Sequence, residues 1–244
     1  MKSKCFLTCF LIFPVFVSIF ISCKKNDVVK KKSTCRIVTL TDLNGSTSTI
    51  YNISYNNDGK ISTLNSGVSS SVFTYSGNTV LINKTNSGSF SERDSITVNS
   101  NGKPLNLRQY YDQAGTNWSN IVFEYDGSGV MLKSEETNNS SSTLQTTLYS
   151  FTSGNLVGIQ STSDNLTLEY FSDKTAQQGD YLGIVSLINY GVNLYPHTNL
   201  VKSLNSGSNL TNFDYEMNTD GLISKLTATS GSTVETITYQ YNCN

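Results

Sequence analysis

The chain has 244 residues, of which Ser (36), Thr (28) and Asn (27) make up 37%; charged residues are only 14%, and the formal net charge is −1. Ala and the long charged side chains, the strongest helix formers, are scarce, while Tyr (14), Phe (11), Thr and Val favour strands. This composition argues against a helical bundle and a doubly wound α/β enzyme, and the near balance of Lys+Arg (17) and Asp+Glu (18) argues against a nucleic-acid partner.

The first element is a targeting segment. Lys2 and Lys4 precede an almost wholly apolar stretch from Cys5 to Ile21 that contains Pro14 and no acid. That is the pattern of a secretory signal, and a run of about 17 residues is marginal as a permanent span. It ends Phe20-Ile21-Ser22-Cys23, which resembles a bacterial lipoprotein signal. The resemblance implies cleavage before Cys23 and diacylglycerol on its sulfur, with the small Ser22 admitting the peptidase. Phe20 stands where Leu is commoner. Residues 1–22 are therefore expected to leave as a signal peptide, which lowers the net charge to −3. Residues 23–34 are expected to form a lipidated, flexible tether, and residues 35–244 a single β-domain. The tether carries Lys24, Lys25, Lys30, Lys31 and Lys32. Surface-exported lipoproteins of Bacteroidetes often carry acids at this point, so a basic tether points to an outer-membrane lipoprotein facing the periplasm rather than the cell surface.

Cys5 and Cys9 are expected to leave with the signal, and the resemblance implies that Cys23 carries lipid. The two cysteines that remain, Cys35 and Cys243, stand before the first expected strand and after the last. An even pair in an oxidising compartment is expected to form a disulfide. If the first and last strands lie antiparallel and adjacent, this bridge staples the sheet shut. No metal site is expected, because soft ligands are missing at metal spacing.

From Cys35 onward the chain reads as short alternating segments separated by turns. Tyr51, Ile53 and Tyr55 alternate with Ile50, Asn52 and Ser54; Ile121, Phe123 and Tyr125 share a face, as do Ile237, Tyr239 and Tyr241. Period-two alternation of β-branched and aromatic residues is the signal of a half-buried strand. Asn57-Asp58-Gly59, Asn101-Gly102, Asp126-Gly127, Ser153-Gly154 and Asp220-Gly221 are read as turns that supply a positive φ. The motif Tyr55-Asn56-Asn57-Asp58-Gly59 returns around Tyr125 and Tyr215 at hairpin intervals. The expected fold is all-β: a long antiparallel meander of about 12–16 short strands, strongly curled or closed into a barrel-like sheet. Closure would also remove exposed edges. A strand of roughly seven residues reaches only about 18 Å along a tilted axis, short of the ~25 Å apolar band of a membrane barrel.

Residues 171–197 break the rhythm. After a polar stretch, Leu182, Val185, Leu187 and Ile188 are expected to form one face of a short helix. Long irregular segments in a compact domain are functional or plugs, and a plug over one end of the curled sheet is favoured over a ligand lid.

Leu168-Glu169-Tyr170-Phe171-Ser172-Asp173-Lys174, a hydrophobic loop, then Thr198-Asn199-Leu200-Val201-Lys202-Ser203-Leu204 resembles a pattern in one group of Bacteroidetes lipoproteins. The closing Tyr215…Asp220-Gly221-Leu222 hairpin and the terminal Thr238-Tyr239-Gln240-Tyr241-Asn242-Cys243 extend the resemblance to residues 35–243. That group is a domain of unknown function described as having a porin-like β-fold. Thr175-Ala176 departs from its usual loop. The hairpin rhythm also resembles YD repeats. The resemblance implies a barrel-like sheet and an envelope location, and no activity.

Catalysis needs a base and a positioned partner. The single histidine, His197, lies in Tyr195-Pro196-His197-Thr198 and reads as a turn residue. No catalytic constellation, cofactor motif or calcium loop is present, so the chain reads as a non-enzyme without cofactors. Trp118, Tyr181, Tyr190 and Tyr195 are candidate binding aromatics, and Asp94-Ser95-Ile96 resembles a short O-glycosylation motif centred on Ser95. The expected role is a lipid-anchored envelope module that binds a ligand or protein partner. A glycan-active enzyme and a purely structural envelope protein are the alternatives. A cavity beneath residues 181–195 would favour the binding module, and a concave cluster of acids the enzyme.

Overall fold

A computed structural model describes residues 35–141 and 143–243. The signal segment 1–22, the tether 23–34 and Cys23 lie outside the described residues. Among the described residues sixteen strands follow one another: β1 (Cys35–Asn44), β2 (Thr47–Tyr55), β3 (Ile61–Ser66), β4 (Ser69–Ser76), β5 (Thr79–Asn86), β6 (Ser89–Val98), β7 (Pro104–Tyr110) and β8 (Trp118–Tyr125). Then come β9 (Met131–Asn138), β10 (Gln145–Thr152), β11 (Asn155–Gln160), β12 (Asn165–Thr175), β13 (Asn199–Ser206), β14 (Asn209–Met217), β15 (Ile223–Ser230) and β16 (Thr233–Cys243). One helix, α1 (Tyr181–Tyr190), stands between β12 and β13. Each strand pairs with its neighbour in sequence, and β1 pairs antiparallel with β16, so the meander is a closed barrel. Cys35 stands opposite Cys243 at the closing seam, and their Sγ atoms are bonded.

Alternation along each strand decides what fills the barrel. Ile53 in β2, Phe73 in β4, Ile82 in β5, Ile96 in β6, Phe123 in β8 and Phe213 in β14 are buried in one continuous apolar core. The residues between them point outward, and they are largely hydroxyls, amides and charges: Asn52 and Ser54, Thr74 and Ser76, Asn212 and Asp214. Ile50, Val72, Val122 and Leu148 are exposed among them.

One turn recurs four times. Asn56 Oδ1 accepts from the backbone N–H groups of Asp58 and Lys60 at 3.1 and 2.9 Å. Asn99, Asp126 and Asn218 do the same two and four residues on. The fourth residue of each turn is a glycine with φ between 75° and 79°. The expected turn at Asp126-Gly127 is thereby corrected. Gly129 carries the positive φ and Gly127 does not, because the Asp126 side chain fixes a longer loop than a two-residue hairpin.

The irregular insert is shorter than expected, since β12 continues through Thr175, which pairs with Asn199. α1 lies at the barrel end that also carries residues 56–60, 77–78, 99–103 and 126–130. An isolated helix of ten residues is marginal in water, so packing holds it. Leu182, Ile184 and Ser186 are buried, with Leu187 and Ile188 half-buried against the core. Ile184 rather than Val185 joins the core. Barrel walls meet α1 on several sides, so its burial does not follow a single stripe. The surroundings of the insert reach across the lumen. A Cβ on Gly179 would lie 3.2 Å from Ile223 and Tyr239, and one on Gly191 would lie 2.7 Å from the Phe73 ring. This segment plugs one end of the barrel.

Strand length does not separate this barrel from a membrane barrel. β12 and β16 have eleven residues each, about 36 Å of strand, or roughly 28 Å along an axis tilted ~40°. The polarity of the outward face is the property that differs, because a membrane barrel presents an apolar band outward and polar groups inward.

Candidate functional site

The plug is fastened at both of its ends. Asp180 caps α1: its Oδ1 accepts from Gly183 N at 2.7 Å. The same oxygen lies 2.9 Å from His197 Nε2, and His197 Nδ1 lies 2.7 Å from the Tyr195 carbonyl. Both ring nitrogens face acceptors, so the arrangement suits an imidazolium that donates twice. Burial pushes the imidazolium pKa down, but the hydrogen bond and charge of Asp180 and the Tyr195 carbonyl outweigh it and leave it above the ordinary value. Such a ring has no free nitrogen for general-base work. Beyond it, Asn155 Oδ1 accepts from Thr198 N and Asn199 N at 2.8 and 3.0 Å, which pins the return of the chain to the start of β11.

Two clefts flank the C-terminal half of α1 and share Leu187, Gly191 and Val192. One, of about 330 Å³, is bordered by Gln177, Asp180, Asn193 and His197. The other, of about 340 Å³, lies between α1 and the turns of β2–β7; Ile61, Tyr75, Val80 and Val98 form its apolar wall, with Lys60 beside them. These volumes fall in the lower part of the ~300–1,000 Å³ range of small-molecule sites.

The second cleft interrupts a repeated contact. Tyr55, Tyr125, Tyr170 and Tyr241, on β2, β8, β12 and β16, donate their hydroxyls to the carbonyls of Ile37, Pro104, Leu156 and Ile223 on the preceding strand at 2.6–2.8 Å. Pro104 and Ile223 each open the strand after a four-residue-spaced turn, and Ile61 holds the same place on β3. Its expected donor on β4 is Tyr75. The Tyr75 hydroxyl is instead buried with no hydrogen-bond partner, and Tyr75 and Ile61 both line the cleft. Burial raises the Tyr75 pKa. Lys60 Nζ stands 4.8 Å from the Tyr75 ring centroid.

The aromatics singled out in the sequence are not brought together. Tyr181 stacks on Phe213 with centroids 4.3 Å apart, and Tyr195 packs near Tyr149. Tyr190 lies within electrostatic reach of Lys84, Asp94 and Glu92. These three belong to the plug and its packing. Trp118 is on the outward face of β8, with the Arg108 guanidinium 3.4 Å from its ring centroid. Ser95 lies in the middle of β6, and its neighbours Asp94 and Ile96 are both buried. Tyr75, Lys60 and Val192 were not singled out. The available signal was the match of Tyr75-Ser76-Gly77 to the other tyrosine-led turns.

Two charged groups inside the barrel were also unforeseen. Lys84 Nζ lies 2.6 Å from Glu92 Oε1 and 2.8 Å from Asp94 Oδ2. Asp94 is fully buried; burial raises its pKa to about 6 against the opposing pull of Lys84. Glu235 is raised by burial and by the neighbouring Asp42 carboxylate. Neither group lines either of the two clefts described above. Among the described residues no three His, Cys, Asp or Glu side chains are grouped to hold a metal ion.

No family model and no curated protein matches the chain. Solved structures do. A porin-like protein from Bacteroides uniformis superposes with a TM-score of 0.64 at 14% identity, covering 84% of this chain and 98% of that one. A porin-like protein from Bacteroides vulgatus gives 0.58 at 17% identity, with the same coverage of both chains. At these identities the likeness is one of fold, and the chain has the porin-like β-fold that its sequence resembled.

Proposed function

We propose that this chain is a lipid-anchored, non-enzymatic protein of the cell envelope whose barrel stands in water and binds a ligand at its plugged end. The observation that carries the reading is the 340 Å³ cleft between α1 and the turns, apolar on its walls and edged by Lys60. The outward face of hydroxyls and amides supports a barrel surrounded by water. The porin-like neighbours are consistent with an envelope association. An anchor at Cys23 would be joined to Cys35 by a tether of at most about 43 Å, and Cys35 lies at the plugged end. The basic tether supports the periplasmic face of an outer membrane.

The glycan-active alternative loses ground on geometry. Asp42 and Glu235 stand on the paired strands β1 and β16 and line neither of the two clefts that flank the C-terminal half of α1. Glu92 and Asp94 are both held by Lys84.

The experiment is a thermal-shift screen of envelope extracts and defined amphiphiles against the full chain and Val192→Trp, which fills the cleft. Stabilisation seen with the native chain and absent from the variant supports the binding module. A native chain that nothing stabilises favours a purely structural role.

A further inference from the structure

Resting on the binding-module reading, we propose that the cleft beside Tyr75 takes a single-chain amphiphile with an anionic head. Its chain lies against Leu187, Val192, Val80 and Val98, and its head is held between the Tyr75 hydroxyl and the Lys60 ammonium.

Three observations define this ligand. The first is the broken repeat. Four tyrosines spend their hydroxyls on a neighbouring strand's carbonyl, whereas Tyr75, like Tyr215 and Tyr239, leaves a buried donor without an acceptor, and of these three only Tyr75 lines one of the two clefts. Buried polar groups are nearly always paired, so an acceptor placed in the cleft beside Tyr75 would satisfy this donor. The second is charge. Lys60 lies in the same opening, engages the Tyr75 ring face, and has no carboxylate within ion-pair distance among the described residues. A cation beside an unused hydroxyl donor selects an acceptor that carries negative charge. The third is the remaining wall, which is aliphatic: Ile61, Val80, Val98, Leu187 and Val192. At roughly 30 Å³ per water-sized group, the cleft holds about a dozen non-hydrogen atoms. A carboxylate or phosphate head on a chain of about ten carbons meets all three demands.

Such a chain has two sources, a free fatty acid and a membrane lysolipid, and the test has an arm for each. Titration calorimetry on the full chain uses sodium decanoate, lauroyl-lysophosphatidylglycerol and, as the uncharged control, decanol. At least one anionic probe is expected to saturate one site, with decanol at least ~10-fold weaker. Which anionic probe binds more tightly identifies the source. Tyr75→Phe is expected to weaken the anionic probe by about 10-fold or more, the scale of one hydrogen bond to a charged group. Lys60→Gln is expected to act in the same direction, and Val192→Trp to abolish binding. Tyr75→Phe also removes a buried unpaired hydroxyl, so the unliganded variant is expected to melt no lower than the native chain, which separates lost binding from lost folding.

Decanol binding as tightly as decanoate, or Tyr75→Phe and Lys60→Gln both leaving affinity unchanged, would overturn the ligand class. If Val192→Trp still abolishes that binding, the cleft stands as a site and only its chemistry is wrong. Failure of both anionic probes to bind overturns the proposal, and the wider thermal-shift screen then judges the binding module separately.

Discussion

His197 Nε2 lies 2.9 Å from Asp180 Oδ1, and this contact joins the two ends of the plug. Asp180 opens α1 and His197 precedes β13, so one ion pair closes a loop of structure across the mouth of the barrel. Both side chains are nearly inaccessible, at 3% and 5% exposure.

Stability should therefore depend on pH through His197. Its folded pKa is raised, so its contribution is complete below the unfolded value of about 6.5 and is lost as pH rises through the higher folded value. Urea unfolding between pH 5.5 and 9 should show the native chain losing more stability than His197→Gln as pH rises. Asp180→Asn keeps a good helix cap but loses the charge, and it should flatten the same window. An undiminished pH dependence in Asp180→Asn would remove the pair as its source.

Asp94 acts in the same direction from inside the barrel. An acid held near 6 by burial binds its proton in the folded state first, so stability from this group grows as pH falls from about 6 towards the unfolded value near 4. Lys84→Met should cost about 3–5 kcal/mol at pH 7.5, because it strands a buried carboxylate. Lys84→Met combined with Asp94→Leu should recover much of that loss in denaturant titrations.

The seam gives a third expectation. The Cys35–Cys243 bridge spans 208 residues, and loop-entropy reasoning sets its contribution at about 5 kcal/mol at most. Unfolding free energies with and without reductant should differ by several kcal/mol in the native chain and not at all in Cys35→Ser/Cys243→Ser.

A glycine pair tests the turn assignment. Gly129→Ala places a side chain at φ 79°, with a Cβ 2.6 Å from Lys103 Nζ, whereas Gly127 has open space and no positive φ. The first should lose about 1–2 kcal/mol and the second almost nothing. Equal losses would restore the two-residue turn.

The strands were legible in the sequence because alternation and turn chemistry are local. Tyr51, Ile53 and Tyr55 had to share a face whatever their neighbours were. The positive φ at Asp126-Gly127 was misplaced because a side-chain oxygen, not a dipeptide preference, sets that loop. The buried face of α1 was misjudged because Ile184 is covered by walls that exist only once β1 and β2 are beside it. The Lys84–Asp94 pair and the unpaired Tyr75 hydroxyl depend on strand order around a closed sheet, and a single strand carries no sign of either. Five of the tyrosines that first read as plain β-formers carry the pattern that exposes the cleft.

A ligand site at the plugged end requires a barrel that stands in water, apolar inside and polar outside. Sedimentation velocity of residues 23–244 carrying Cys23→Ser, without detergent and with or without liposomes, tests that most directly. A discrete soluble species that liposomes leave unmoved is the predicted result. Pelleting in the absence of detergent, or co-flotation with the liposomes, would contradict it.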